Sequence, residues 1–182
     1  YVIVLLYHYA RGMGMTDWQE FDWKKFMVEW RGEGMTRGYA NTPEGQVHYV
    51  TAGEGDALVL IHQMVRSSRM WLRVIPLLAK RYKVVAIDML GMGFSDSPPL
   101  EGDTLSLVAS SVIHTMDELQ IEKAHFFGLH TGAGVAGEVA ATYPERVGTL
   151  MVMSYPLVET EEERQATQDA GRDFWGNDLG GP

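Results

Sequence analysis

The 182-residue chain carries 24 acidic against 15 basic residues, a net charge of −9, which argues against nucleic acid or an anionic membrane as its main partner. It has no cysteine, which excludes disulfides, thiolate catalysis and a cysteine-based zinc site. Apolar residues at 46% and charged residues at 21% are enough for one globular core, and no run reaches the roughly 18 apolar residues that a membrane helix needs. The lack of cysteine suits a reducing, cytoplasmic location, and an exported bacterial protein has the same composition.

In chain order, Tyr1-Val2-Ile3-Val4-Leu5-Leu6-Tyr7 reads as a core strand or an apolar leader. The basic flank and small-residue cleavage site of a secretion signal are not visible. Residues 1–36 read as an N-terminal extension. Within it the spacing of Trp18, Phe21, Trp23, Phe26, Met27 and Trp30 predicts a short amphipathic helix. From residue 37 the pattern is that of a sheet protein. Arg37–Thr42 and Gln46–Ala52, joined through Pro43-Glu44-Gly45, predict an antiparallel hairpin with Val47 and Tyr49 on one face and Gln46 and His48 on the other.

Four short apolar runs follow: Ala57–Ile61, Lys83–Ile87, Ala124–Gly128 and Leu150–Met153. Such runs predict strands buried on both faces of a parallel sheet. Helical patterns separate them, over Met70–Lys80, then at Leu105, Val108, Val112, Met116 and Leu119, then at Val135, Val139 and Tyr143. This alternation predicts an α/β class with a doubly wound, mostly parallel sheet. After Pro156 the chain turns polar (Glu159, Glu161, Glu162, Glu163, Arg164), which predicts a solvated helix in a separate region, residues 157–182. The Gly180-Gly181-Pro182 ending does not read as a domain close. The sheet is therefore expected to stop at its sixth strand, with an apolar edge over Leu150–Met153 that favours self-association and leaves the chain marginally stable.

In such sheets ligands gather at the C-terminal ends of the strands, and three loops there carry the chemistry. Gly128-Leu129-His130-Thr131-Gly132-Ala133-Gly134 runs from a strand directly into a helix. Its small-x-X-x-small spacing is that of a nucleophile elbow, in which a strained central residue points its side chain outward and flanking glycines avoid backbone collisions. An ordinary glycine-rich strand–helix turn has the same spacing. In the elbow reading, the Thr131 N–H lies at a helix N-terminus, where it can hold a developing oxyanion. The second loop, Ile61-His62-Gln63-Met64, follows the first parallel strand and favours the elbow reading. The third is Asp88-Met89-Leu90-Gly91-Met92-Gly93-Phe94-Ser95-Asp96-Ser97-Pro98.

In order and spacing these loops resemble the α/β-hydrolase superfamily over roughly residues 38–157, and more narrowly its epoxide-hydrolase, dehalogenase and esterase branch. Pro144-Glu145-Arg146-Val147 is similar to that branch as well. The resemblance implies a core over residues 37–156, apparently truncated after the sixth strand, and makes residues 157–182 the start of a cap region. It places His62 at the histidine of the usual His-Gly pair, Gln63 at the glycine, and the Met64 N–H as the second oxyanion donor. It also puts His130 where the family's nucleophile is Ser, Asp or Cys. A dehalogenase-like reaction is disfavoured, since the nucleophilic Asp and the Trp that usually follows it are missing. The acid and late histidine of a triad would come from later strands; Ser154-Tyr155-Pro156 offers no acid, and Glu159 is the first candidate.

Imidazole can act as base, proton donor or nucleophile, so His130 is the main catalytic candidate. Thr131, whose hydroxyl lies one past the tip, is the second. The leading expectation is a cofactor-free enzyme on a small organic substrate, by ester or lactone hydrolysis or a related lyase or isomerase step. The alternative is a non-catalytic ligand-binding protein that retained the pocket. His62 is expected to brace its loop, Asp88 and Asp96 to order theirs, and His48, His114 and His125 to be structural. Arg66 is expected in a surface salt bridge rather than on a substrate. No histidine–carboxylate pair has metal-ligand spacing, so no metal is expected.

Overall fold

The structure of the chain, a computed structural model, describes residues 34–98, 104–154 and Glu162. The expected helix over residues 18–30, the apolar opening, and the polar helix after Pro156 with Glu159 lie outside these residues, Glu162 apart.

The hairpin forms as β1 (Thr36–Thr42) and β2 (Gly45–Ala52), in antiparallel register from Thr36↔Thr51 to Thr42↔Gly45. The next two apolar runs are β3 (Ala57–Ile61) and β4 (Lys83–Ile87), each five residues and almost wholly buried. A long helix, α2 (Thr104–Glu118), leads to β5 (Ala124–Leu129), which enters α3 (Thr131–Thr142). A 3-10 turn at Pro144–Arg146 then leads into β6 (Val147–Met153). The six strands make one sheet in the order β1-β2-β4-β3-β5-β6, with β1, β2 and β4 paired antiparallel and β4, β3, β5 and β6 paired parallel.

The period-two alternation of strand side chains divides the core between the two faces of the sheet. Val59, Ile61, Val85, Ile87 and Phe126 pack with Val108, Val112 and Met116 of α2 and with Val135 and Val139 of α3. Leu58, Leu60, Val84 and Ala86 alternate with them, and Trp71, Leu72 and Ile75 are buried in the segment that follows β3. The burial comes from apolar runs that are too short for a helix and are matched on both faces.

Three expectations are corrected. The helix expected over Met70–Lys80 is broken into a 3-10 turn, Ser68–Trp71, and one short helix, α1 (Ile75–Leu78). Pro76 is the physical reason: it has no N–H and its ring clashes with the preceding turn, so a helix can start there but not run through. Leu150–Met153 is a strand but is not buried on both faces, since these residues are 38–52% exposed. β6 is the last strand of the described sheet and has a hydrogen-bonded neighbour, β5, on one side. His48 does not point to a polar face; it is 4% exposed, because the loop after β4 folds over that side of β2.

Candidate functional site

The chain leaves β3 to form β4 on one side and returns to form β5 on the other. This is a topological switch point, the place at the C-terminal edge where open α/β sheets gather their ligands. His62, Gln63 and Met64 follow β3; His130 and Thr131 follow β5.

His130 joins β5 to α3 with φ 53° and ψ −115°, outside the ordinary regions for an L-residue. Three bonds hold it there. Its N–H donates to Met153 O at 2.9 Å, and its carbonyl accepts from Ala133 N at 2.8 Å and Gly134 N at 3.3 Å. Two glycines permit the bend. A Cβ on Gly128 would strike the Gly132 carbonyl and lie 2.7 Å from Ala133 Cα. One on Gly132 would strike the carbonyl oxygens of Ile61 and His62, with Ile61 C at 2.7 Å. Gly132 thus lets the first turn of α3 press against the end of β3. That close approach brings the two loops together.

The result is a small polar cluster. The Met64 N–H donates to Thr131 Oγ1 at 3.3 Å, and Thr131 Oγ1 lies 3.4 Å from His130 Nδ1. The Thr131 N–H opens α3, where the first amides of a helix have no intrahelical acceptor. The His130 side chain is exposed. Among the described residues it does not line a half-open pocket of about 400 Å³ beside His48, which is formed from β1, β2 and the loops after β3 and β4.

His62 takes no part in that cluster. It is fully buried; its Nδ1 lies 2.8 Å from Gln63 O, and its Nε2 accepts the Met89 N–H at 3.0 Å. An amide N–H can only donate, so Nε2 carries the lone pair and the proton sits on Nδ1. Desolvation by burial lowers the His62 pKa, against the raising effects of the Gln63 carbonyl and Asp88. His62 thus clamps the loop after β3 to the loop after β4 as a neutral ring.

Asp88 does more than order its own loop. Its carboxylate accepts from Phe94 N at 3.0 Å and Ser68 N at 2.5 Å, and lies 2.9 Å from His48 Nδ1. Asp96 reaches across to β2, accepting from Gln46 N at 2.8 Å. Residue spacing gives no hint of the partners outside that loop, Ser68, His48 and Gln46, which lie 20 to 50 positions away. His114 pairs with Glu44 at 3.0 Å, and His125 stacks edge-on against Tyr82. Arg66 is exposed and, among the described residues, has no ion pair, contrary to expectation. Among the described residues no group of histidines and carboxylates could hold a metal ion. No described helix is long and apolar enough to cross a membrane.

A family model described as the alpha/beta hydrolase fold matches residues 56–179, more than half of the chain. The chain belongs to the alpha/beta hydrolase fold family. Among the hydrolase-fold relatives, bifunctional epoxide hydrolase 2 of Mus musculus is 35% identical over 133 residues, which cover 71% of this chain and 24% of that protein. The crystal structure of Cfl2 from Burkholderia cenocepacia superposes with a TM-score of 0.65 at 31% identity, over 69% of this chain and 43% of that one. The N-acyl homoserine lactonase AidH superposes with a TM-score of 0.63 at 27% identity, over 68% of this chain and 46% of that one. The hydrolase-fold chain thus spans less than half the length of each of these three.

Proposed function

We propose that this chain supplies the elbow and oxyanion loops of a hydrolase that acts on a small organic ester or lactone without a cofactor, with His130 as its acid–base group. The observation that carries the reading is the bend at His130. Strain at φ 53° and ψ −115° costs on the order of 1–3 kcal/mol, and close backbone packing through Gly128 and Gly132 maintains it. Relatives whose names include an epoxide hydrolase and a lactonase support a hydrolytic reaction on a small molecule.

In the proposed reaction His130 takes a proton from water as the water oxygen attacks the carbonyl carbon. The carbonyl oxygen gains the negative charge and replaces Thr131 Oγ1 as the acceptor of the Met64 N–H, and the Thr131 N–H is the second donor. The bond to the leaving oxygen then breaks, and the imidazolium returns its proton to that oxygen. Gln63 and His62 hold the donor loop in place. Thr131 Oγ1, beside His130 Nδ1, orients the ring.

One observation favours a second reading, a ligand-binding protein without turnover. Among the described residues the hydrogen bond of the His130 ring is to Thr131, and no carboxylate backs it. Hydrolysis of p-nitrophenyl acetate by the parent and by His130→Ala separates the two. The catalytic reading requires turnover that His130→Ala abolishes; equal rates in parent and variant would refute it. No turnover in either, with unchanged ligand affinity, supports the binding reading.

A further inference from the structure

Among the described residues four that are not glycine hold φ in the left-handed region: Val65 at 57°, Gln120 at 54°, His130 at 53° and Ser154 at 56°. Gln120 follows α2, where a left-handed residue commonly ends a helix. The other three follow β3, β5 and β6, which are neighbours in the sheet. Strained backbone therefore gathers along one stretch of the C-terminal edge. Such strain persists only where the surrounding structure holds it, and it clusters at active sites and ligand clamps.

Ser154 is the member of this group that the reaction at His130 leaves unused. The β5–β6 register pairs Gly128 with Val152 and Leu129 with Met153. The His130 N–H continues that ladder by donating to Met153 O at 2.9 Å. In a parallel pair a residue's N–H reaches the carbonyl that precedes its partner, so this bond sets Ser154 opposite His130. Neighbouring strands lie about 4.8 Å apart. Both residues are exposed, and both leave the sheet with nearly the same φ. A hydroxyl-bearing residue thus stands one strand over from the imidazole, at the end of a hydrogen-bonded strand.

The chemistry calls for a group at that place. Thr131 Oγ1 lies 3.4 Å from His130 Nδ1, which makes Nε2 the nitrogen that faces the attacking water. A water hydrogen-bonded to Nε2 has a second hydrogen, and an acceptor for it fixes the oxygen lone pair toward the carbonyl carbon. Thr131 Oγ1 already accepts the Met64 N–H, whereas a serine hydroxyl brings two further acceptor lone pairs.

We propose that Ser154 Oγ accepts the second hydrogen of the attacking water, which makes Ser154 a catalytic residue; the assignment rests on the hydrolase reading. The water oxygen bonds to the carbonyl carbon as one hydrogen passes to His130 Nε2 as a proton. The other hydrogen stays on that oxygen, hydrogen-bonded to Ser154. The bond to the leaving oxygen then breaks, and His130 returns its proton there. Ser154 keeps its own proton throughout and forms no bond to the substrate.

Steady-state hydrolysis of p-nitrophenyl acetate by the parent, Ser154→Ala and Ser154→Gly tests the assignment. Ser154→Ala is expected to lower kcat roughly tenfold, the loss of one transition-state hydrogen bond, with KM within about twofold. Ser154→Gly is expected to lose as much kcat and yet to unfold at a higher temperature, because glycine relieves the positive φ. Its loss of rate then cannot come from a weakened fold. Unchanged kcat in both variants, with His130→Ala inactive, would overturn the role of Ser154 and leave the hydrolase reading intact. So would a change confined to KM. Covalent labelling of Ser154 by a fluorophosphonate would also overturn it, since the serine would then attack the substrate itself. No turnover in the parent, or equal rates in the parent and His130→Ala, would remove the hydrolase reading and this assignment with it.

Discussion

Replacing the fully buried His62 tests whether a neutral ring holds the two loops at the C-terminal edge of the sheet. In His62→Ala the Met89 N–H loses its acceptor, which costs about 1–3 kcal/mol for a buried donor. The Gln63 carbonyl loses its donor, and an imidazole-sized void opens. Together these amount to about 3–5 kcal/mol, a large share of the stability of an ordinary domain. The same geometry fixes the pH dependence. A second proton would sit on Nε2, facing the Met89 N–H, and burial already holds the pKa of the ring below its ordinary value of 6.5. Between that lowered value and 6.5 the unfolded chain binds a proton that the folded chain does not. The contribution is therefore fully present above 6.5, falls as pH drops through the window, and levels off below the folded-state value. One proton limits the slope to about 1.4 kcal/mol per pH unit. Urea unfolding midpoints of the parent and of His62→Gln, which cannot titrate, isolate this contribution from the other histidines. Parallel stability–pH curves for the two proteins would refute the argument, as would a loss below about 1 kcal/mol in His62→Ala.

The glycines of the bend give an opposed pair of predictions. Gly132→Ala should destabilise by about 3 kcal/mol or more, since the added methyl meets two backbone carbonyls and the roughly 1 kcal/mol of helix propensity gained cannot offset that. Gly134→Ala, whose added Cβ meets nothing within 4 Å, should gain roughly 0.5–1 kcal/mol. Thermal unfolding checks both, and the same sign at the two positions would contradict the packing described at Gly132. His130→Gly should abolish any esterase activity while raising stability by roughly 1 kcal/mol, because glycine relieves the positive φ at an exposed position. A lower unfolding midpoint in that variant would show that the bend is not strained.

The sequence alone determined the elements whose signal is local. Five-residue apolar runs bounded by turn residues placed β3 and β4, and the spacing of Leu105, Val108, Val112, Met116 and Leu119 placed α2, because burial on two faces or on one stripe leaves a period in the chain itself. Gly128 and Gly132 marked the bend for a similar reason: only the absence of a Cβ allows that approach, whatever surrounds it. Local reasoning failed at Met70–Lys80, where the apolar rhythm predicts one helix and Pro76 breaks it. It failed again at Leu150–Met153, since an apolar strand reads the same in the middle of a sheet as at its edge. Tertiary structure decided the remainder. The pairing of Met64 with Thr131, the bond from Met89 to His62, the bonds from His48 and Ser68 to Asp88, and the pocket beside His48 all join segments far apart in the chain. A hydrogen bond formed by chain crossing leaves no periodicity in either segment, and only the strand order β1-β2-β4-β3-β5-β6 brings those groups within reach of one another.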